Sequence, residues 1–561
     1  WGPDKWSIDY RDKNRINCYD TGTAPCKTAC PAHIAVQGYL KLAAQGKYRE
    51  ALQLIKRENP FPAVCGRICN RRCEDACTRG TVDQAVAIDE VKRFIAQQDL
   101  DAATRFVPEK VIPKVDGEFD QQIAIIGGGP AGLSCAYYLA EKGYRPTVFE
   151  KERRLGGMLE NGLPSFRLEK DVVQAEIDVL REMGVQFRCG VEVGKDVTIA
   201  QLRQEGFRGF YVAVGLQSGG RLNIPGDDAQ GVTAGIDFMR RVNGGQETKL
   251  EGRVVVIGGG NIAADVARTA VRCGAESVDL YCLESYDDMP MGPEDRGECE
   301  RDGITIHAGW GQTEIVTENG HAAGIRFRKC LRVKNDQGRF APEFDDNDTC
   351  QAQCAAVLYC IGQKVDWRQL LTGTAVTFNP NGTAQVDPVT YQTAEPGIFA
   401  GGDAVTGQKF AIDAIAAGKE GAISLHRFVQ KATLTIGRNR RQFVELDKEN
   451  ALIPVGFDNT PRQRIGYNEA LRRTFRDERI AFTAQQVQKE TARCLSCGAS
   501  VVDPNKCIGC GVCTTKCAFD AIHLHRERPE CTHMIPAEDK MKAILPYMVK
   551  REIKIRKAGK K

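Results

Sequence analysis

The spacing of apolar and polar positions divides the chain into stretches of different period. Ile123 to Ile126 run without interruption into Gly-Gly-Gly-Pro-Ala-Gly at 127–132. An unbroken apolar run of this length suits a strand buried on both faces of a parallel sheet. Leu133 to Lys142 then reads as a helix, and Arg145 to Glu150 as the next strand. The same order returns about 130 residues later, with a strand at Val254–Ile257 and a glycine-rich turn at 258–263. Its helix runs to about Cys273 and its following strand ends at Glu284. Ala356–Gly362 predicts another buried strand, Gly397–Ala400 a short one, and Ala411–Val429 a long helix. Upstream, Val36–Lys56 sets Leu40, Ala43, Ala44, Tyr48, Ala51, Leu52 and Ile55 at helical spacing. The polar stretch Lys334–Gln353 predicts a surface insertion or hairpin loop. Residues 431–490, basic and polar with Pro454 and Pro461, read as a linker wrapping the core, with a short helix at 468–476.

The two glycine-rich turns carry candidate chemistry. Gly127, Gly129 and Gly132 have G-x-G-x-x-G spacing between a predicted strand and helix, the context a dinucleotide-binding turn requires. The backbone can then approach a pyrophosphate whose charge sits at the helix N-terminus. Glu150 follows about 20 positions on, where a ribose hydroxyl needs an acceptor. Gly258, Gly260 and Ala263 repeat the pattern, and Glu284 ends the strand after it. A carboxylate suits a free 2′-hydroxyl, whereas a 2′-phosphate calls for Arg or Lys. NAD is therefore expected ahead of NADP, with Arg268 and Arg272 as the basic residues that could still reach the site. Gly401-Gly402-Asp403 suits backbone closing on a ligand, with Asp403 accepting hydrogen bonds from sugar or ribityl hydroxyls. The helix that follows would turn its positive end toward a reduced flavin ring.

Composition adds a second chemistry. At 561 residues the chain should hold several domains, and 42% hydrophobic residues can fill their cores. A formal charge of +4 gives no reason to expect nucleic acid, and no apolar run approaches the roughly 20 residues of a membrane span. Of 23 cysteines, seven lie between Cys18 and Cys77 and seven between Cys494 and Cys531. Thiols clustered at both ends of a large α/β core read as metal sites in a reducing compartment, so cytoplasm is expected. Cys65, Cys69, Cys73 and Cys77 follow Cys18, Cys26 and Cys30, too dense a set for buried free cysteines. Zinc is the alternative, and iron–sulfur is preferred because a flavin-type domain follows. Cys507, Cys510, Cys513 and Cys517 have C-x₂-C-x₂-C-x₃-C spacing, that of a bacterial ferredoxin half-motif. Cys494, Cys497 and Cys531 supply further thiols, and Lys550–Lys561 reads as a solvated basic tail.

Residues from about 15 to 430 resemble the small (β) subunit of NAD(P)H-dependent glutamate synthase. That module recurs in the N-terminal half of dihydropyrimidine dehydrogenase and in the large subunit of bifurcating NADH-dependent ferredoxin:NADP oxidoreductase. The residues that carry the resemblance are Ala24-Pro-Cys-Lys-Thr-Ala-Cys-Pro, Cys65-Gly-Arg-Ile-Cys and Cys73-Glu-Asp-Ala-Cys. They continue with Ile126-Gly-Gly-Gly-Pro-Ala-Gly-Leu, Gly162-Leu-Pro-Ser-Phe-Arg-Leu, Gly258-Gly-Gly-Asn-Ile-Ala-Ala-Asp and Gly397-Ile-Phe-Ala-Gly-Gly-Asp.

The resemblance implies an α/β chain with two nucleotide-binding Rossmann-like domains, an N-terminal α-helical iron–sulfur domain and a C-terminal ferredoxin-like α+β domain. The boundaries are 1–118 for the helical domain, 119–245 plus 375–430 for FAD, 246–374 for NAD(H), 431–490 for the linker and 491–561 for the ferredoxin-like end. FAD falls to Gly127, Gly129, Pro130, Ala131, Gly132, Glu150, Gly157, Arg167, Gly402 and Asp403. The nicotinamide falls to Gly258, Gly260, Asn261, Ile262, Ala263 and Glu284. Two to four [4Fe-4S] clusters are implied, and transfer by motif gives one cluster Cys18, Cys26 and Cys77, the other Cys30, Cys69 and Cys73. Each lacks a fourth ligand, because Thr21 and Lys92 stand where the family has ligands; Cys65 is a substitute for one. Leu283-Glu284 replaces an Arg pair of NADP-using members, and the ferredoxin-like end adds an electron port.

The expected function is an NAD(H)-dependent flavin and iron–sulfur subunit of a multisubunit redox complex of hydrogenase or formate dehydrogenase type. It exchanges electrons with other subunits or ferredoxin, and electron bifurcation is open to it. The alternatives are the glutamate synthase small subunit, a non-catalytic electron-wiring subunit and a disulfide reductase. The last lacks a redox pair, since Cys273, Cys282 and Cys299 form no C-x₂-C.

Overall fold

The computed structural model describes residues 23–110, 119–246, 248–438, 457–497, 507–516, 522–524 and 536–558. Cys18, Thr21, Cys517 and Cys531 lie outside these described residues. The chain divides into a unit of residues 1–500 and a unit of residues 501–561.

The first unit opens with helices α1 (Val36–Ala44), α2 (Tyr48–Lys56), α3 (Pro62–Ile68) and α4 (Ile88–Ala96). The single helix expected over 36–56 is broken at 45–47, where Gly46 takes a φ of +72°. That conformation is open to glycine and ends the first helix. Tyr39, Leu40, Leu52, Ile55, Val64, Val91 and Ile95 are buried in one core, which continues into Leu133, Tyr137 and Val173. Each such side chain contributes about 1.5–3 kcal/mol by leaving water.

The first sheet holds β1 (Gln122–Ile126), β2 (Thr147–Glu150), β3 (Gln186–Cys189) and β4 (Phe207–Val212). Its order is Ile398–Ala400, β4, β1, β2, β3, all parallel. Between them lie α5 (Pro130–Glu141), after β1, and α6 (Lys170–Glu182), after β2.

The second sheet holds β5 (Val232–Ala234), β6 (Arg253–Ile257), β7 (Ser277–Cys282) and β8 (Thr305–Ala308). It is parallel in the order β5, Ala356–Tyr359, β6, β7, β8. Its helices are α7 (Gly235–Asn243), α8 (Asn261–Arg272) and α9 (Pro293–Arg301). An antiparallel insertion of β9 (Trp310–Glu318), β10 (His321–Lys334) and β11 (Phe340–Gln353) precedes β12 (Ala356–Tyr359). The stretch expected as a loop or insertion is therefore mostly strand. Its polarity comes from solvent-facing cross-strand pairs such as Arg332 with Glu343.

After β13 (Ile398–Ala400), α10 spans Ala411–Val429, the range the sequence predicts. Residues 457–497 pack as a short hairpin, Gly466–Tyr467 with Arg479–Ile480, and α11 (Ala484–Ala492). Val487 is buried in the N-terminal core, so this stretch is docked structure and does not behave as a linker. In the second unit, α12 (Val512–Lys516) follows the ferredoxin-like thiols. The run read as a solvated tail is helix over residues 550–558, the end of α13 (Lys540–Ala558), and is exposed over 550–557. Among the described residues no helix is long and apolar enough to cross a membrane.

Candidate functional site

Both glycine-rich turns open onto one cleft of about 800 Å³, within the range of small-molecule and cofactor sites. At the first turn Gly127 has a φ of +109°, and a Cβ at Gly132 would lie 2.0 Å from Gly127 O. Only glycine lets α5 come this close to the turn, which leaves the helix N-terminus and its N–H groups facing the cleft. Pro130 fills the first helical position and Ala131 the second; both line the cleft with Gly129.

Glu150 ends β2 beside this turn. Its carboxylate accepts the Gly128 N–H at 2.6 Å and the Glu152 N–H at 2.9 Å. Burial pushes it above the usual carboxylate range, and the two N–H donors pull the other way. Gly157 also lines the cleft. Gly402 and Asp403 close the cleft at the start of the turn before α10. Burial lifts the Asp403 carboxyl to about 7 against a single backbone donor, the Lys409 N–H at 3.3 Å. A half-buried, half-satisfied carboxylate in the cleft wall fits a polyhydroxyl chain, so these residues suit FAD.

Arg167 lines the cleft too, yet its guanidinium is already engaged. It donates to Asp265 at 2.8 Å and pairs with Asp295, tying the first nucleotide domain to the second.

At the second turn Gly260, Asn261 and Ile262 line the same cleft, whereas Gly258, Ala263 and Glu284 lie behind it. Ala263 is fully buried in the third-glycine place. Glu284 leans over the turn: a Cβ at Gly259 would lie 2.8 Å from its Oε2. Arg268 and Arg272 do not reach this ribose end. Both pair with Asp302 and stack on Phe166, Arg268 also pairing with Glu298. Two cations of this region are ones the sequence did not flag. Lys329 lies over the Trp310 ring at 4.7 Å and beside Gly309, whose N–H donates to the Glu284 backbone oxygen, and Arg296 stacks on Tyr286 at 4.9 Å.

The terminal thiols fall into two groups. Cys26 and Cys77 meet Cys494 and Cys497 around one small cavity. Cys30, Cys65, Cys69 and Cys73 form the other, with the ammonium of Lys92 among them. Lys92 is buried and pairs with Asp89. Burial pushes the Cys65, Cys69 and Cys73 thiols up, and the Lys92 charge opposes this. Among the described residues no three His, Cys, Asp or Glu side chains converge on a single metal ion. Two groups of four soft donors fit cluster ligation better than one tetrahedral centre. The grouping keeps Cys26 with Cys77 and Cys30 with Cys69 and Cys73, as motif transfer has them, and places Cys494 and Cys497 beside the first pair.

Ile68 and Arg72 link the thiols to the cleft. Ile68, adjacent to Cys69, is part of the cleft wall. Arg72, adjacent to Cys73, pairs with Asp413 in the first turn of α10. In the second unit Cys507 and Cys510 are exposed and Cys513 is half-buried. Gly509 N–H approaches Cys507 Sγ at 3.4 Å, as in loops that wrap a cluster.

Residues 121–418 match the pyridine nucleotide-disulphide oxidoreductase family. The chain belongs to this family. Residues 11–104 match dihydropyrimidine dehydrogenase domain II, 4Fe-4S cluster, and 500–523 match the 4Fe-4S binding domain. Members similar to it include the NADP(+)-dependent formate dehydrogenase subunit beta of Moorella thermoacetica, 34% identical over 85% of this chain and 70% of that protein. The NADPH-Fe(3+) oxidoreductase subunit beta of Geobacter sulfurreducens is 30% identical over 85% and 75%. The glutamate synthase [NADPH] small chain of Escherichia coli is 31% identical over 74% and 90%. The chain is an oxidoreductase of FAD, pyridine nucleotide and [4Fe-4S] type. The relatives carry NADP or NADPH in their names.

Proposed function

We propose that the chain is the pyridine-nucleotide-reactive subunit of a multisubunit redox complex, passing electrons between NAD(P)H and a partner subunit or ferredoxin. The observation that carries this reading is the shared cleft: both glycine turns open into it, and Ile68 beside Cys69 forms part of its wall. A flavin bound there supplies the exchange between electrons that move in pairs and electrons that move singly.

The residues divide the work. The α5 N-terminus and Gly127–Gly132 hold a pyrophosphate, and Glu150 and Asp403 take hydroxyls. Gly260, Asn261 and Ile262 present the second nucleotide to the same space, and the Arg167–Asp265 pair holds the two domains in register. The two thiol groups carry clusters toward the surface, and Cys507, Cys510, Cys513 and Cys517 carry a further one. Lys329 beside Gly309 and Arg296 on Tyr286 are the basic residues of this region, and with relatives named for NADP or NADPH they support NADP(H) standing level with NAD(H).

Anaerobic mixing with each nucleotide tests the reading. Bleaching of the flavin absorbance by NADPH or NADH is expected; bleaching by neither would overturn it. Division of the electron pair between two outlets is the stronger form of the reading. It requires that ferredoxin reduction depend on a second, higher-potential acceptor, and one-to-one transfer without one would rule it out.

A further inference from the structure

Cys26 and Cys77 are separated in sequence from Cys494 and Cys497 by the whole of both nucleotide domains, yet the four line one small cavity. The cavity is a built site. Arg493, immediately before Cys494, is fully buried and donates to Glu490 at 2.7 Å, Asp83 at 3.0 Å and Ala85 O at 3.2 Å. Glu490 in turn accepts the Ala87 N–H at 2.8 Å, so α11 is fastened to the N-terminal helices just ahead of the thiol pair. Gln37 donates to Cys497 O from the other side. The Thr78 hydroxyl is buried in the cavity wall and lies against the Cys497 thiol, where it can donate to a thiolate.

We infer that Cys26, Cys77, Cys494 and Cys497 ligate a single [4Fe-4S] cluster, two ligands from each end of the first unit, without Cys18. The inference rests on the iron–sulfur reading of the N-terminal domain and names the ligands that complete it. It resolves the missing fourth ligand, because Thr21 no longer needs to be a cysteine. Each thiol loses its proton on ligation, so assembly releases protons and fastens α11 to the helical domain. Four half-buried thiols around one cavity, with the Thr78 hydroxyl and the Gln37 amide beside them, form an environment that suits such a cluster.

Two measurements on the full-length protein as isolated test this. In the first, the native protein is treated with a thiol-alkylating reagent before and after iron chelation. Cys26, Cys77, Cys494 and Cys497 are expected to be protected together and to become labelled together once iron is removed. In the second, Cys26→Ser and Cys494→Ser are each expected to lower iron by about four atoms per chain. Both should remove the same EPR signal, and the double variant should lose no more than either alone. Flavin per chain, unchanged, marks an intact core; a variant that loses flavin is set aside and the labelling of the unaltered protein decides. Full iron in Cys494→Ser, different signals lost in the two variants, zinc in place of iron, or labelling of Cys494 and Cys497 before chelation would overturn the inference. A protein with no iron at all would instead overturn the iron–sulfur reading beneath it.

Discussion

Arg72 donates to both carboxylate oxygens of Asp413, at 3.0 and 3.2 Å. One residue belongs to the thiol-bearing domain, beside Cys73, and the other to the first turn of the helix that closes the nucleotide cleft. A two-point pair of this kind fixes orientation as well as distance. The guanidinium also lies over the Phe410 ring at 5.5 Å, and Phe410 lines the cleft.

Arg72→Ala should leave flavin content unchanged and slow the reduction of the clusters by NAD(P)H several-fold. The pair is partly exposed, so its loss costs about 1 kcal/mol or less in stability. Stopped-flow absorbance at flavin and cluster wavelengths separates the two steps; equal slowing of both would contradict the assignment.

Gly132→Ala should abolish flavin binding. The added Cβ would meet Gly127 O at 2.0 Å, a backbone atom that cannot move without opening the turn. Overpacking of this kind costs about 1–3 kcal/mol, and here it falls on the phosphate-facing N–H groups. The flavin-to-protein ratio of the purified variant is the measurement.

Glu284→Arg should raise preference for NADPH over NADH by about tenfold or more, and Lys329→Ala should lower it, a tenfold change being 1.4 kcal/mol. The ratio of the two nucleotides' kcat/KM values checks both, and no change in either would remove Lys329 and Glu284 from the ribose site.

Asp403 gives a pH signature. Its carboxyl is pushed up to about 7 from the ordinary 3.8 by burial, with the Asp413 charge adding to the effect. Between roughly pH 4 and 7 the folded protein therefore binds more protons than the unfolded chain, and stability falls as pH rises. Above that window the dependence from this group is flat. The thermal midpoint of flavin-free protein should decline by an amount worth a few kcal/mol at most, given its partial exposure to solvent. Asp403→Asn should flatten the decline; an unchanged slope would assign it to another group.

The strands and turns were legible where local pattern dictates structure. The apolar runs at Ile123–Ile126 and Val254–Ile257 form central strands, and Ala411–Val429 forms one helix, because period and glycine placement are local properties. What the pattern hid depends on contacts distant in sequence. Glu176 shows this: it accepts the Ala63 and Val64 N–H groups at the start of α3, at 2.8 and 2.9 Å, from the helix after β2. No spacing rule pairs it with a helix more than 100 residues earlier. Arg493 and Asp83 are equally remote, so the joining of Cys494 and Cys497 to Cys26 and Cys77 could not be read from motif transfer. The preference for NAD drawn from Glu284 is weaker for a different reason: one carboxylate after the second strand does not exclude a 2′-phosphate, and Lys329 beside Gly309 comes from the antiparallel insertion, distant in sequence.

The central claim is that one cleft connects a pyridine nucleotide to the thiol-bound clusters. Anaerobic titration of the purified chain with NADPH and with NADH, followed by visible absorbance and EPR together, tests it most directly. The account predicts that at least one nucleotide bleaches the flavin and then produces the EPR signals of reduced clusters. Flavin bleaching with clusters that stay oxidised, yet are reduced by dithionite at a potential the nucleotide can reach, would contradict it.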